Sequence, residues 1–184
     1  MTHSFDPRTY GPDVAAVLLP QRLPELGPGV ANTSAHAAIA SLTIDRMAGD
    51  REIHDPDMAR CCLSALWLYH DFLDESHAIS QEIDTPAGGY WHGIMHRREP
   101  DADNAKYWFR RVGTHPIFDA LAIEAGLLKV RASGVSGWDP FEFVDQCEKH
   151  RGTNGQTELK LRQLQQTEWA LLFDRCFRNA FGIG

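Results

Sequence analysis

A repeated helix-start signal, a capping side chain followed directly by proline, constrains this chain more than any other feature. It occurs as Asp55-Pro56 and again as Asp139-Pro140. The aspartate side chain accepts hydrogen bonds from the first free amide groups of a helix, and the fixed φ of proline fits the first helical position. Strand signals are poor by comparison. The helix-start signals and the lack of strand signals therefore predict an all-α fold.

Apolar spacing supports long helices between these signals. Over residues 55–74, apolar side chains recur at intervals of three and four, which gives one apolar stripe, and the pattern can run on through residue 83. A last helix is predicted over about residues 156–180. A short strand or hairpin within residues 127–138 stays open. We predict one domain over residues 1–184, a helical array or bundle of about seven to eight helices.

Proline and glycine divide the rest of the chain. Three prolines and two glycines fall within residues 20–30, which we predict to be an irregular connector. In the middle of the chain, one helix begins with Asp84 or Thr85 as its cap and ends at Pro100. A second helix follows and stops at Gly113. Because the connection between them is short, these two helices are expected to form a hairpin.

Composition limits the classes of partner. The net charge is −7, which argues against a nucleic-acid binder that relies on overall positive charge. No apolar run approaches the roughly 20 residues needed to span a membrane. The N-terminus lacks the basic start and apolar stretch of a secretion signal, and the four cysteines have no CxxC spacing. We expect a soluble, cytoplasmic protein without nucleic-acid or membrane partners, and the oligomeric state stays open.

The first of two polar helix faces lies near the end of the helix predicted from residue 55. His70, Asp74 and His77 follow one another at i, i+4 and i+7, within about 60° of arc if one helix continues through residue 75. Neutral imidazole and carboxylate on one helical face can ligate Zn, Fe or Mn. We therefore consider these three residues candidate metal ligands, with a solvated helix face as the alternative.

The second polar face has the same spacing and lies in the first helix of the hairpin. His92, His96 and Glu99 are candidate catalytic groups, because imidazole titrates near neutral pH and can act as a general base. Gly88 and Gly89 lie near this face, where small residues let a ligand or another helix approach the backbone. The alternative is a buried polar network satisfied by other protein groups.

Arginine and aromatic residues surround the second face. Arg97 or Arg110 could hold a carboxylate or phosphate, and Trp91, Tyr107 or Trp108 could flank the apolar part of the ligand. The same arginines could instead pair with nearby acids and lock the corner between the two helices. The first interpretation predicts a small anionic ligand, and the second predicts only a rigid corner.

The stretch that carries these residues shows two resemblances. Its YWH…HRRE…N..YWFRRVG.HP block, about residues 90–116, resembles an uncharacterised bacterial all-α family, which implies no activity, cofactor or catalytic residue. It is also similar to a single tetratricopeptide hairpin at four positions: Gly93, Ala105, Phe109 and Pro116. His92 and His96 depart from that pattern, and no second copy follows at a 34-residue period. This similarity implies a helical hairpin and not a peptide-binding array.

Two hypotheses of different classes follow. In the first, the two polar faces converge into a His/carboxylate/Arg pocket that binds a small anionic ligand or a Zn, Fe or Mn ion, with hydrolysis as the reaction if the site is catalytic. In the second, the protein is a non-enzymatic helical interaction or scaffold protein whose polar block holds a hairpin together.

Overall fold

Helices account for all the regular secondary structure in the part of the chain that the computed structural model describes, residues 5–130 and 137–183. The all-α prediction is confirmed, and the ten observed α-helices, nine of them with seven or more residues, are close to the seven or eight expected. Part of residues 127–138, where a strand or hairpin stayed open, lies outside the described residues. After a 3₁₀ turn at Pro7–Tyr10, the helices are α1 Pro12–Leu18, α2 Thr33–Ala40, α3 Ile44–Ala48, α4 Pro56–Tyr69, α5 Leu73–Ser80, α6 Pro86–Arg98, α7 Ala102–Val112, α8 Phe118–Leu128, α9 Pro140–His150 and α10 Gln156–Ala180.

The capping signals act as the sequence predicts. Asp55 accepts a hydrogen bond from the Met58 amide at 3.0 Å, and Asp139 accepts one from the Phe141 amide at 2.8 Å. At the start of α6, the cap is Thr85 and not Asp84. These bonds form within a few residues of each helix start, so they need no tertiary contact.

Helix α6 is the centre of the fold. Every residue from Ala87 to Arg98 is buried, and α6 packs against α4, α5, α7 and α9. The contact with α7 is close, because a Cβ atom at Gly93 would lie 3.1 Å from the Phe109 ring. The two helices pack as the expected hairpin, and its tetratricopeptide likeness stays a prediction.

The continuous helix that a shared face of His70, Asp74 and His77 requires is not formed. Helix α4 ends at Tyr69 and α5 begins at Leu73, with Asp71 between them at a φ of 65°. The Asp71 carboxylate accepts hydrogen bonds from Arg98 at 2.5 Å and from Arg22 at 2.6 Å. This buried aspartate stabilises a turn that the apolar pattern alone does not reveal.

A second buried ion pair joins α6 to α10. Arg97 Nη2 lies 2.5 Å from Glu168 Oε2, and neither side chain is exposed to solvent. Tyr90 donates a hydrogen bond of 2.9 Å to the other Glu168 oxygen, and the Arg97 guanidinium lies 4.4 Å from the centre of the Phe143 ring. The pairs of Arg97 and Arg98 therefore reach distant helices and turns, and not the acids of the α6–α7 corner expected from sequence.

Residues 20–30 are irregular and are held by side chains from later in the chain. Three of these side chains donate to carbonyl oxygens of the connector: Arg98 to Gly27 at 2.7 Å, Gln165 to Glu25 at 2.9 Å and Arg162 to Pro24 at 3.1 Å. These bonds satisfy backbone groups that have no helix to pair them.

We expect Arg97→Met to lower the free energy of unfolding by about 3–5 kcal/mol, because it leaves the Glu168 carboxylate buried without its cation. The double variant Arg97→Met/Glu168→Gln should recover most of that loss. Arg8→Met is the control, because the Arg8–Asp6 pair is exposed and should contribute less than about 1 kcal/mol. Urea unfolding measures all three, and equal losses at Arg8 and Arg97 would contradict the expectation.

Two adjacent glycines of α6 should differ in how strongly a substitution by alanine destabilises the fold. A Cβ atom at Gly88 would lie 2.3 Å from the Ile83 carbonyl oxygen, whereas one at Gly89 would make an ordinary contact of 3.6 Å with Trp108. We expect Gly88→Ala to lower the free energy of unfolding by about 2–3 kcal/mol through overpacking. Gly89→Ala should change it by less than about 1 kcal/mol. Similar urea midpoints for the two variants would refute this.

Candidate metal centre

Three histidines from two helices form one cluster. His77 lies in α5, and His92 and His96 lie one turn apart in α6. One nitrogen from each ring lies within 4.8 Å of the other two. Among the described residues, no other group of three or more His, Cys, Asp or Glu residues is arranged to hold a metal ion. A tetrahedral zinc ion spaces its nitrogens about 3.3 Å apart, so modest ring rotations would bring these three around one ion.

His96 contacts two polar side chains. Glu99, which follows the last residue of α6, places Oε2 3.0 Å from Nδ1. Asn104, in the first turn of α7, places Nδ2 3.1 Å from Nε2 and 3.5 Å from Nδ1, so its amide lies over the face of the ring. An ionised carboxylate can only accept hydrogen bonds, so Nδ1 carries the proton and Nε2 holds the lone pair. The Glu99 contact therefore assigns one tautomer to this ring.

His92 is enclosed by rings. It stacks on His96 at a centroid distance of 4.7 Å and on Trp108 of α7 at 4.1 Å. The third ring, His77, meets it edge-on at 4.7 Å. His92 Nδ1 is buried and has no hydrogen-bond partner among the described residues. A buried nitrogen without a partner costs about 1–3 kcal/mol, so this ring is not a fully satisfied core histidine.

Burial keeps the α6 imidazoles neutral. Burial, with the nearby His96 and His77, lowers the pKa of His92 to about 3. Burial also lowers the pKa of His96, although its hydrogen bond to Glu99 acts in the opposite direction. Metal ions bind the neutral ring, and near pH 7 both rings are therefore in the form that can ligate.

Of the three residues expected as metal ligands, only His77 belongs to this cluster. His70 Nε2 lies 2.8 Å from the Val17 carbonyl oxygen, and Nδ1 lies 2.9 Å from Asn32 Nδ2. Asp74 is exposed. The physical reason is the turn between α4 and α5, which breaks the spacing that a continuous helix would have maintained. His70 and Asp74 are therefore not part of the candidate metal centre, contrary to the expectation from sequence.

The structure brings His92 and His96 together as their spacing predicts. Glu99 reaches the cluster only through His96 and is about 43% exposed. Asn104 and Trp108 contact the cluster. From the sequence, Trp108 was expected only beside an anionic ligand, and Asn104 was not expected in the site. The sequence feature that indicates such contacts is the short connection between α6 and α7. It requires the first turn of α7 to lie against the last turn of α6.

The anion clamp expected around Arg97 is not assembled. Arg97 is fully buried against Glu168, and Trp91 is buried with no exposed surface, so neither is available to a ligand. Arg110 and Tyr107 are exposed on α7, with the Arg110 guanidinium 5.9 Å from the centre of the Phe141 ring. The buried charge of Arg97 requires a permanent carboxylate partner, and Glu168 supplies it.

Comparisons with known proteins provide no relative. The chain matches no protein-family model, no curated protein and no solved structure. Among the described helices, none has both the length and the apolar character needed to cross a membrane. What can be said of function therefore depends on the geometry of the histidine cluster.

His115 lies outside the cluster, and it can be used to test how burial of an imidazole affects the pH dependence of stability. It packs against Tyr90 at 5.0 Å, and burial, with Arg175 adding to it, lowers its pKa to about 4. An unfolded histidine has a pKa near 6.5, so the unfolded state binds more protons between pH 6.5 and 4. The neutral His115 ring therefore makes its full contribution to the free energy of unfolding above pH 6.5. This contribution is lost as the pH falls towards 4.

We therefore expect His115→Gln to reduce the pH dependence of stability. Between pH 7.5 and 4.5, the wild-type protein should lose about 2 kcal/mol more unfolding free energy than the variant, once partial exposure of the ring is allowed for. Urea unfolding at the two pH values measures this difference. Equal losses in both proteins would contradict a buried, neutral His115.

Proposed function

We propose that this protein binds a transition-metal ion, Zn²⁺ foremost, through His77, His92 and His96. The observation that carries the proposal is the approach of three imidazole nitrogens to within 4.8 Å of one another. Imidazole suits Zn and Fe, whereas Mn favours carboxylate and water, so the donor set favours Zn over Mn. Burial keeps the His92 and His96 rings neutral, and the neutral ring is the form that binds a metal ion.

Three protein ligands leave a fourth position on a tetrahedral ion, as in catalytic zinc sites. A bound Zn²⁺ would supply Lewis acidity there and lower the pKa of a water molecule, so hydrolysis is the reaction class we propose. The protein groups have separate tasks. Glu99 orients His96 through Nδ1, and Trp108 covers one face of His92 and excludes water from it.

We also propose a reducing, cytoplasmic location. All four cysteines are free and buried, and none of them takes part in the histidine cluster. Such thiols are typical of proteins kept in a reducing compartment.

A scaffold function is the second candidate, and a specific observation favours it. Glu99, Asn104 and Trp108 already hold the α6–α7 corner through contacts with His92 and His96 that need no metal. In that case the cluster would contribute to stability alone. The two candidates differ in whether removal of a histidine changes metal affinity or only the unfolding free energy.

Calorimetric titration of Zn²⁺ into metal-free, untagged protein tests the proposal. We expect one Zn²⁺ per chain and a rise in melting temperature on binding, because the ion binds the folded state. His92→Ala and His77→Ala should each weaken binding about 100-fold or more, because each removes one of three ligands. His54→Ala is the matched control, because that imidazole is about half exposed and lies outside the cluster.

Two results would contradict the metal site. One is the absence of saturable binding by Zn²⁺, Fe²⁺ and Mn²⁺ in the wild-type protein. The other is equal affinity in the His92→Ala and His54→Ala variants. Either result, together with a lower melting temperature for His92→Ala, would favour the scaffold.

A further inference from the structure

We infer that a groove beside the histidine cluster binds the carboxylate end of a small-molecule substrate through Arg111. The inference rests on the proposed metal site and adds the chemical class of its substrate. The groove is formed by the start of α6, the segment before it and the last two turns of α7, and its volume is about 140 Å³. Pockets that enclose a whole small molecule measure about 300–1,000 Å³, so this groove fits one end of a ligand.

The groove and the histidine cluster share one face of α6. Gly89 lines the groove and precedes His92 by three residues and His96 by seven, a spacing that places all three on the same side of the helix. A Cβ atom at Gly89 would lie 3.6 Å from Trp108 and 3.7 Å from Val112, so the helix backbone forms the floor between these two side chains. Trp108 also stacks on His92 at 4.1 Å. A ligand held in the groove therefore lies about one helical turn from the proposed metal site.

Arg111 has hydrogen-bonding capacity that the described protein groups do not use. A guanidinium carries five N–H donors. Arg111 makes two hydrogen bonds among the described residues, and both are long: 3.4 Å from Nη1 to the Tyr107 hydroxyl and 3.5 Å from Nη2 to Asp84 Oδ1. The side chain is about half exposed, and its guanidinium lies 5.3 Å from the centre of the Trp108 ring. Its remaining donors are therefore open to a ligand in the groove.

Asp84 indicates which anion Arg111 would receive. Its carboxylate contacts Arg111 at 3.5 Å, but the Asp84 side chain is fully exposed. Exposed pairs of this kind are weak, so a ligand carboxylate can replace Asp84. The guanidinium fork binds a carboxylate through two parallel N–H···O bonds, which is a stronger arrangement than the single long contact to Asp84. The charge of Asp84 also disfavours a doubly charged phosphate, so we assign a carboxylate to this position.

The other walls of the groove are mostly apolar. They are formed by Ile83, Pro86, Trp108 and Val112. The Thr85 hydroxyl also lines the groove, but it already caps the start of α6. Small-molecule sites typically combine apolar walls with a few polar groups that fix the orientation of the ligand. The groove therefore fits a carboxylate joined to a short apolar body.

Titration of benzoate into the metal-free full chain, followed by proton–nitrogen-15 spectra, tests the groove without relying on Zn²⁺. Benzoate should shift the Gly89 amide and Trp108 indole signals saturably. The dissociation constant should lie in the millimolar range expected for so small a ligand. Benzamide has a similar shape but no charge, and it should bind at least about tenfold more weakly.

Three variants locate the carboxylate. Arg111→Met should weaken benzoate binding about tenfold, because it removes a hydrogen bond between charged groups. Arg110→Met is the matched control and should leave the affinity unchanged, because Arg110 is exposed on the same helix, faces Phe141 and does not line the groove. Asp84→Asn should tighten binding about twofold to fivefold, because it removes the competing carboxylate. Arg111→Gln provides the same test if the methionine variant does not fold.

The outcomes separate the groove from the metal site itself. No saturable shift with benzoate, equal binding of benzamide, or equal losses in the Arg110 and Arg111 variants would overturn the carboxylate site and leave the proposed function intact. Benzoate binding through Arg111 in a protein that binds none of Zn²⁺, Fe²⁺ and Mn²⁺ would overturn the proposed function, and with it the assignment of the groove to a substrate of that site. Tighter binding of phenyl phosphate than of benzoate would overturn the choice of a carboxylate.

Discussion

Arg97 and Arg98 are consecutive residues at the end of a buried helix, and each needs a carboxylate from elsewhere in the chain. Glu168 of α10 meets Arg97, and Asp71 of the α4–α5 turn meets Arg98, both at 2.5 Å. A buried guanidinium without such a partner would cost several kcal/mol. Because consecutive side chains point about 100° apart around a helix, one short segment of α6 is tied to two different parts of the structure.

The position of the candidate metal centre depends on one of these two ion pairs, the one between Arg98 and Asp71. The Asp71 carboxylate lies in a turn with a left-handed backbone, and the Arg98 bond holds that turn against α6. Helix α5 starts two residues later and brings His77 to His92. An uninterrupted helix would instead have extended the α4 face that carries His70. The ion pair therefore helps to decide which histidines meet.

The surroundings of the cluster are compatible with both candidate functions. Burial and stacking against Trp108 hold the His92 ring neutral and in place, which stabilises the α6–α7 corner whether or not an ion binds. The same burial leaves one His92 nitrogen without a hydrogen-bond partner among the described residues, and the Asn104 amide packs over the His96 ring.

The sequence by itself determined where α4, α6 and α9 begin, because capping by Asp55, Thr85 or Asp139 involves only the next two or three residues. It also determined that His92 and His96 share a face, since a spacing of four is fixed by helix geometry. Only the tertiary structure decided which third imidazole joins them. That choice depends on a turn held by an arginine 27 residues away, and no periodic pattern encodes such a contact.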